Sequence, residues 1–464
     1  MYRETWTAPR HHIDVGQAGP GIVSPTVLQC LPKGSPFVTE RTSAARARRI
    51  LLLLTFTRWF PVGLTVAVST LLAVERGMSL AQVGVIFAVQ GFVVLGLELP
   101  TGGFADALGR RPVLITAAVL ALVAGLVFVT AHTFTAFVVA LVIMGVFRAL
   151  DSGPLEAWYV DTAQADDPEV NVELNLASAG TVLGVSIAIG ALISGGLIAW
   201  HPIHAMTALE LPYWTALGFY GVNVVMIAVL MREDRSHLDS TGLGRALISA
   251  REAPRVVLDG LRSLAASAVL RSLVLVEVFW SVAMIAFEIF MPVRLSELAG
   301  GEAHAGALMG PISAVAWGLF ALGSTGAGLA SKRIGVGWTA LLARLLNGAF
   351  VVGMGVATGP VGLIAAFLLT YTLHGSAGPV HSALLHRQAA ARNRTTVLSM
   401  NSMVGGAAFS VGLLALGPLA EHTSTAVGIV VAGAFSILGA ALYLPAIRQE
   451  REAAGASDIE PAAI

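Results

Sequence analysis

GGFADALGRRPVL, residues 102–114, separates two apolar runs at residues 81–100 and 112–131. Each run is about 20 residues long, which is the length that an α-helix needs to cross a lipid bilayer. The glycines permit a tight turn, Asp106 can lie against a helix N-terminus, and Arg110 can reach an acidic partner. The segment therefore predicts a short polar loop that joins two transmembrane helices.

Apolar runs of this length recur from Ile50 to Ile447. Of the 464 residues, 56% are hydrophobic and 12% are charged, whereas soluble domains carry about 25% charged residues. A transmembrane β-barrel is excluded because its strands would alternate over about ten residues. The sequence predicts an all-α integral membrane protein with twelve spans, at 50–72, 81–100, 112–131, 134–160, 175–199, 212–231, 269–291, 304–330, 336–357, 360–382, 396–419 and 425–446.

The basic residues are distributed unevenly between the two sides that these spans define. Most Lys and Arg residues fall before the first span, after the last span or in loops on that same side. Only Arg76 and Arg294 fall in loops on the other side. Because loops rich in Lys and Arg stay in the cytoplasm, both termini are predicted to be cytoplasmic. We expect a multi-pass protein of a bacterial plasma membrane.

A polar stretch at 232–268 is the longest interruption and divides six spans from six. Its residues Val257, Leu261 and Leu264 recur at helical spacing, which predicts an amphipathic helix on the cytoplasmic membrane surface. The single cysteine, Cys30, excludes an intrachain disulfide and a cysteine-based metal site. The predicted divisions are a disordered cytoplasmic tail at 1–48, an N-terminal six-helix bundle at 49–231, the linker at 232–268, a C-terminal six-helix bundle at 269–447 and a cytoplasmic tail at 448–464.

The loop at 102–114 resembles the cytoplasmic loop motif of the major facilitator superfamily, Gly-x-x-x-Asp-(Arg/Lys)-x-Gly-(Arg/Lys)-(Arg/Lys). Ala107 departs from the motif's usual basic residue. A degraded copy, GLASKRIG at 328–335, follows at the equivalent place in the second half. The resemblance implies two pseudo-symmetric six-helix bundles, and it implies that the motif latches the cytoplasmic faces together. The residues that carry the motif are Gly102 or Gly103, Asp106, Gly109, Arg110 and Arg111, with Asp161 as the candidate partner of Arg110.

The fourth and fifth spans carry weaker resemblances within the same superfamily. RALDSG at 148–153 is similar to an Arg-x-x-x-Gly type pattern of proton-coupled members, and PLEAWYVD at 154–161 resembles a stretch in bacterial efflux-like members. The span at 175–199 is rich in glycine but lacks the Gly-Pro pair of drug/proton antiporters. The first two features favour a proton-coupled exporter, and the third counts against it.

Ionisable residues inside the spans are concentrated on spans 1, 4, 7 and 10, which line the central cavity in the superfamily. A charge inside a bilayer costs about 2.5–3.5 kcal/mol on insertion scales, so it tends to be paired and to face a polar interior. In the first half we predict a network in which one carboxylate exchanges a proton. Its members are Arg58, Arg148, Asp151 and Glu156. The alternative is a set of static salt bridges that hold the helices together.

Aromatic residues accompany the carboxylates of the seventh and tenth spans. A carboxylate among aromatic rings suits an organic cation or an amphipathic compound, because ring faces attract cations. Each aromatic residue alone is also explained by packing or by an interface belt. The interpretation of His374 stays open between a proton carrier and a hydrogen-bonded core residue. The predicted cavity residues in this half are Glu277, Trp280, Glu288, Tyr371 and His374.

These observations predict a secondary transporter that works by alternating access and exports a small hydrophobic or cationic compound in exchange for protons. The alternatives are uptake of a small metabolite by proton symport or facilitated diffusion and, more remotely, a solute sensor on a transporter scaffold. An enzyme is not expected, because hydrolase motifs and a phosphate-binding loop are absent from the sequence. The zero net charge argues against nucleic-acid binding. The expected partners are the small-molecule substrate, protons and the lipid bilayer; no cofactor or metal is expected, and we expect a monomer.

Overall fold

The computed structural model describes residues 42–233, 258, 260–262, 264, 265, 267–389 and 394–457. Within these ranges the chain forms helices and short connections, without a β-strand. The side chains of residues 99–107, 394, 395 and 453–457 are not described. The predictions for Cys30 in the N-terminal tail and for most of the linker at 232–268 lie outside the described residues.

Twelve helices in the described part are long and apolar enough to cross a membrane. This number and the all-α fold class confirm the prediction from the sequence. Four of the helices contain an interruption. In chain order they are α1 (Ala44–Thr65 and Val68–Glu75), α2 (Leu80–Leu108), α3 (Arg110–Thr130), α4 (Phe134–Asp151 and Pro154–Asp166), α5 (Val172–Trp200), α6 (Glu210–Leu230), α7 (Ala268–Ile285, Ala286–Phe290 and Met291–Ala299), α8 (Glu302–Ile334), α9 (Val336–Val356), α10 (Pro360–Gln388), α11 (Arg394–His422) and α12 (Thr425–Gly439, Ala440–Tyr443 and Leu444–Ser457).

The terminal helices extend beyond the limits predicted for the two bundles. α1 begins at Ala44, inside the predicted tail, because the Ser43 hydroxyl accepts a hydrogen bond from the Arg46 N–H and caps the first turn. α12 ends at Ser457, because the helix continues through a polar segment after its apolar run. The division into bundles at residues 231 and 268 stays a prediction.

The helices pack in the same pattern in the first half, α1–α6, and in the second half, α7–α12. In the first half α1 packs against α5 and α6, α4 packs against α2 and α3, and α3 packs against α6. In the second half α7 packs against α11 and α12, α10 packs against α8 and α9, and α9 packs against α12. Each of these helix pairs in the first half thus has a counterpart in the second half whose helix numbers are six higher. The fold is therefore a repeat of one six-helix arrangement, as in transporters built from internal repeats.

The two halves meet along the helix pairs α2 with α11 and α5 with α8. α1 begins and α12 ends at one face, which we call the terminal face, and the other is the opposite face. A Cβ built on Gly310 would lie 2.7 Å from the Gly195 Cα, and one built on Gly84 would lie 2.6 Å from the Leu413 carbonyl oxygen. These four residues lie toward the opposite face, whereas Gly180 of α5, nearer the terminal face, has no such neighbour within 4 Å. The close contacts between the halves thus close the molecule at the opposite face.

A carboxylate caps the N-terminus of the third helix in each half. Glu233, which follows α6, accepts hydrogen bonds from the N–H groups of Arg110 (2.6 Å) and Arg111 (3.2 Å) at the start of α3. Glu450 of α12 accepts a hydrogen bond of 3.0 Å from the Gly337 N–H at the start of α9. A carboxylate suits this position because the first N–H groups of a helix lack intrahelical partners and carry partial positive charge. Both caps lie at the terminal face.

Interruptions in α4 and α7 lie close to the middle of their spans, which are 33 and 32 residues long. α4 breaks at Ser152 and Gly153, and Gly153 has a φ of 94°, a conformation that favours glycine. α7 contains a π-helical turn at Ala286–Phe290. A π-helical turn holds an extra residue and therefore changes the direction of the side chains that follow it. Of the predicted cavity residues, Glu288 lies in the π-helical turn and Asp151 directly precedes the break in α4.

Candidate functional site

An ion pair joins α1 to α4 beside the break in α4. The Arg58 guanidinium contacts the Asp151 carboxylate, and their side chains are 19% and 6% exposed. The Arg58 guanidinium also lies 4.7 Å from the centroid of the Trp59 ring. A buried ion pair is a weak source of stability, because both ions lose their hydration. Its position at mid-membrane instead suits a charge that changes partner when the helices move.

Arg148 and Glu156 belong to the same region but not to this ion pair. The Arg148 side chain is exposed, and it makes no hydrogen bond or ion pair with the residues that the structure describes. It lies among the charges of Arg58, Asp151 and Glu98 on three helices, so it faces the space between them. The Glu156 Oε2 atom is buried, and it has no hydrogen-bond partner in the described part. Of the four residues predicted as a network, the structure brings only Arg58 and Asp151 into contact.

In the second half, Glu288 is hydrogen-bonded to a tyrosine that lies among aromatic rings. Its carboxylate accepts a hydrogen bond of 2.9 Å from the Tyr371 hydroxyl, which joins the π-helical turn of α7 to α10. The Tyr371 ring has five neighbouring rings with centroid distances of 5.1 to 6.4 Å. A carboxylate in this setting attracts a cation through its own charge and through the ring faces. We call the following residues the aromatic cluster: Trp280, Phe287, Trp317, Phe320, Phe367, Tyr371 and His374.

Trp280 and His374 form one edge of the aromatic cluster. Their rings stack with a centroid distance of 5.0 Å and an interplanar angle of 24°. The Trp280 Nε1 and His374 Nδ1 atoms are buried and have no hydrogen-bond partner among the described residues. Buried polar atoms without a partner are uncommon in proteins, and they often mark a site that a ligand or a water completes. His374 therefore has no hydrogen bond through Nδ1 of the kind expected for a core histidine.

A second polar group lies inside the second half, and only one of its members, Glu277, was predicted to line the cavity. The Glu277 carboxylate lies 3.1 Å from His381 Nε2 and 3.9 Å from Arg344 Nη2. The Tyr443 hydroxyl lies 2.8 Å from His381 Nδ1, and Asn401 Oδ1 lies 3.2 Å from His381 Nε2. These residues come from five different helices, and we call them the buried polar layer. Glu277 is thus enclosed within the bundle and 5% exposed.

The other members of the buried polar layer differ in how clearly the sequence marks them. Arg344 and His381 are ionisable residues within apolar spans, so the cost of a charge in a bilayer marks them in the sequence. Asn401 and Tyr443 carry no such signal, because neutral polar and aromatic residues are common in membrane helices. Their role follows only from the distances to His381. In the described part, no group of three or more His, Cys, Asp or Glu residues could hold a metal ion.

The described contacts of the loop motif lie within the first half. Arg110 Nη1 lies 2.6 Å from Asp161 Oδ2 at the terminal face. The Arg111 guanidinium donates a hydrogen bond of 2.5 Å to the Ala228 carbonyl oxygen. Gly109 is the N-cap of α3, with a φ of 92°. The remaining predicted members have side chains outside the described part, and they are Gly102, Gly103 and Asp106.

Comparison with known proteins places this fold and site in context. The family model described as Major Facilitator Superfamily matches residues 51–378. The nucleoside transporter NupG is 12% identical, with a TM-score of 0.69 over 86% of this chain and 98% of that chain. A bacterial homologue of the human lysosomal transporter Spinster, in an inward-facing and occupied conformation, is 14% identical, with a TM-score of 0.69 over 87% of this chain and 97% of that chain. A structure of a proton dependent oligopeptide transporter is 11% identical, with a TM-score of 0.66 over 88% of this chain and 99% of that chain.

A search of curated protein sequences gives no match. The structural similarities are at low sequence identity and therefore show a shared fold, while the family model covers more than half of the chain. Together with the twelve membrane-length helices, these findings identify a multi-pass membrane transporter and not an enzyme. The chain belongs to the Major Facilitator Superfamily.

Proposed function

We propose that this protein is a secondary active transporter that exports a small hydrophobic or cationic compound in exchange for protons. The observation that carries the proposal is Glu288, a carboxylate within a membrane-spanning helix that is held by Tyr371, whose ring packs against further aromatic rings. A bound cation would exchange its hydration for the carboxylate and the ring faces, and an apolar body would pack against the same rings. The substrate class follows from this combination.

Alternating access is supported by the way in which the halves meet. At the opposite face, the Ser79 hydroxyl and the Ala81 N–H at the start of α2 donate hydrogen bonds of 2.6 and 2.9 Å to Glu421 of α11. These contacts and the glycine contacts described above join the two halves at that face. Rocking of one half against the other would break them and form contacts at the terminal face.

Proton coupling is assigned in this proposal to the ion pair of Arg58 and Asp151. A proton on Asp151 would remove the negative charge that neutralises Arg58, and the guanidinium would then need another partner. Because the two residues lie on α1 and α4, a change of partner alters how these cavity helices pack. The face from which water reaches Asp151 would decide where the proton is taken up and released.

The proposal places the terminal face in the cytoplasm of a bacterial cell. Arg46, Arg48 and Arg49 are exposed at the start of α1, and exposed basic residues at a membrane surface favour the cytoplasmic side. The protein would then act in the plasma membrane with its substrate, protons and lipid as partners, and as a monomer. With the opposite face closed, the described conformation would accept its substrate from the cytoplasm.

Transport in inside-out vesicles, with the internal pH recorded, tests this function. For a compound from a panel of organic cations, we expect substrate uptake into the vesicles together with proton release from them. The double variant Asp151→Asn and Glu156→Gln should lose this coupling, whereas Glu173→Gln, an exposed carboxylate at the terminal face, should keep it. Proton coupling that survives in the double variant would remove the ion pair from the mechanism.

A second candidate function is uptake of a small metabolite by proton symport or facilitated diffusion. Arg148 favours it, because an exposed guanidinium without a partner among the described residues attracts a carboxylate or a phosphate. Nucleoside and oligopeptide transporters are among the structures that share the fold. Accumulation of a metabolite only in right-side-out vesicles would support uptake and overturn export.

A further inference from the structure

The hydrogen bonds of the buried polar layer are those expected of a neutral His381 with its proton on Nε2. Nε2 faces two oxygen atoms, from Glu277 at 3.1 Å and Asn401 at 3.2 Å, so it carries a proton and donates. Nδ1 lies 2.8 Å from the Tyr443 hydroxyl, which can donate to it. The Tyr443 oxygen in turn accepts a bond of 3.5 Å from Arg344 Nε. This arrangement suits a neutral His381, in which either Nδ1 or the Glu277 carboxylate can accept one more proton.

The charge balance of the layer depends on Glu277. Arg344 is 2% exposed, and Glu277 is the carboxylate with which it forms an ion pair, at the long distance of 3.9 Å. Its Nη1 atom has no hydrogen-bond partner in the described part. The titratable or charged groups that face the pair of Glu277 and His381 are Arg344 on α9, Tyr443 on α12 and, beyond Trp280, His374 on α10. An additional proton would leave the layer with one uncompensated positive charge.

This positive charge would lie beside the aromatic cluster. The Arg344 guanidinium carbon is 4.2 Å from the centroid of the Trp280 ring. The Trp280 ring in turn stacks on the His374 ring. Glu277 and Glu288 are eleven residues apart on α7, which corresponds to about 16 Å along the helix. The buried polar layer and the proposed cation site are therefore connected by direct ring contacts over a short distance.

We propose that Glu277 and His381 form a proton-binding site, and that a proton bound there lowers the affinity of the aromatic cluster for a cation. This inference rests on the proposed cation site at Glu288. By linkage, a cation bound at Glu288 expels the proton to the same extent, which is the relation that an exchanger needs. Two unit charges about 16 Å apart in a partly polar protein interior repel enough to change an affinity about fivefold.

Binding of ethidium to the full-length protein in lipid nanodiscs, measured by fluorescence over a range of pH, tests the inference. The variant Glu277→Gln leaves Arg344 without its carboxylate and mimics the protonated layer. The double variant Glu277→Gln with Arg344→Gln removes both charges and mimics the neutral layer, and it also avoids an unpaired buried charge that could impair folding. The matched control is His386→Gln, which replaces an exposed histidine on α10, the helix that carries His381.

We expect the single variant to bind ethidium about fivefold more weakly than the double variant at every pH. Relative to the double variant, the wild-type protein and His386→Gln should change from equal affinity at high pH to about fivefold weaker affinity at low pH. Each affinity is divided by that of the double variant at the same pH. Any pH dependence that comes from Glu288, which all the variants retain, then cancels. Equal affinities of the single and double variants, or an unchanged pH dependence in the single variant, would overturn the inference.

A second measurement needs no ligand and separates this inference from the proposed function. The infrared difference spectrum between neutral and acidic pH should contain a carboxyl or imidazole band in the wild-type protein and in His386→Gln. The band should be changed or missing in Glu277→Gln and in His381→Gln, because each variant removes one of the two proton acceptors. If the band is present but no cation binds, the proposed substrate class is contradicted and the proton site is not. A spectrum that is identical in all four proteins would exclude the proton site.

Discussion

In the proposed function, a single side chain, Glu288, selects the substrate inside the membrane. Its carboxylate is held by one hydrogen bond from Tyr371, so the remaining capacity of its two oxygen atoms is available to a ligand. Tyr371 and the rings packed against it provide apolar surface and negative ring faces, while the carboxylate provides the charge. Selectivity for a cation over a neutral analogue of the same shape should therefore depend on Glu288 more than on any single ring.

Replacing Glu288 by Gln should weaken the binding of ethidium about tenfold, because the charge is lost while the size of the side chain is kept. Tyr371→Phe should have a smaller effect of about threefold, because it removes only one hydrogen bond to the carboxylate. Fluorescence titration in nanodiscs measures both. Glu173→Gln serves as the control, and a Glu288→Gln protein that binds ethidium as the wild type does would rule out this site.

The residues of the cavity could be predicted from the sequence only in part. Charged and aromatic residues in apolar spans stand out, which is why Asp151, Glu288 and Tyr371 were predicted as candidate cavity residues. Which of them touch depends on helix phase, and the π-helical turn of α7 changes that phase by about 100° for each extra residue. Glu277 and Glu288 are therefore in different environments, although the sequence suggests one shared cavity.

The contact between α5 and α8 depends on glycines at which no side chain fits. We expect Gly310→Leu to separate the helices at the opposite face, because its Cβ would already lie 2.7 Å from the Ala191 carbonyl oxygen and from the Gly195 Cα. Overpacking of this kind costs about 1–3 kcal/mol, enough to shift a two-state equilibrium about tenfold. Gly318→Leu on the same helix is the control, because no atom lies within 4 Å of its Cβ.

Cysteine labelling measures this shift. With Cys30 changed to Ser, a cysteine introduced at Leu413 is fully buried at the contact of the halves and should react slowly with a membrane-impermeant maleimide. Gly310→Leu should raise the labelling rate from the opposite face about tenfold, and Gly318→Leu should leave it unchanged. Equal rates in the two variants would show that the glycine contact does not hold this face closed.

The caps of α3 and α9 should stabilise each half separately. Glu233→Gln and Glu450→Gln each remove a carboxylate from a helix N-terminus, so each should lower the free energy of unfolding by about 1 kcal/mol. Because the caps lie in different halves, the two losses should add in the double variant. Thermal unfolding in detergent measures the change, and Glu452→Gln, an exposed carboxylate near Glu450, is expected to have no effect. A double variant no less stable than either single variant would refute independent caps.

The helices themselves could be predicted, whereas their caps could not. The length of an apolar run follows from the thickness of the bilayer, so twelve helices could be counted from the sequence. A cap by Glu233 joins residues more than 120 positions apart in the chain, and no local pattern marks it. The extra turns of α12 lie in a polar segment beyond the apolar run, so hydrophobicity does not mark them in the sequence.

At the scale of the whole molecule, the halves should move as units. Cross-linking cysteines at Ser79 and Glu421, in a protein with Cys30→Ser, would tie the halves together at the opposite face. We expect a short bifunctional thiol reagent to abolish transport in this variant. The same reagent on cysteines at Arg76 and Glu210, which form an ion pair within the first half, should leave transport intact. Transport by the Ser79 and Glu421 cross-linked protein would contradict alternating access.

The organisation in two halves could be recognised from the repeated loop motif. Which of the two faces is closed could not be predicted from the sequence. The motif and its copy at 328–335 lie at equivalent places, and the helix contacts of the halves match with an offset of six. Which face is closed depends on contacts such as Gly195 with Gly310, and the sequence is compatible with both closed faces. A transporter must encode two conformations of similar free energy, so its sequence cannot specify one alone.

The π-helical turn of α7 also bears on how this lineage can acquire new substrates. The turn accommodates one more residue than a regular helix, and it lies directly at Glu288. Loss of a single codon there would restore a regular helix and rotate one end of α7 by about 100° relative to the other. Such a deletion redirects the carboxylate away from its rings while most of the membrane packing is kept. A single deletion can thus change the transported substrate without a series of gradual substitutions.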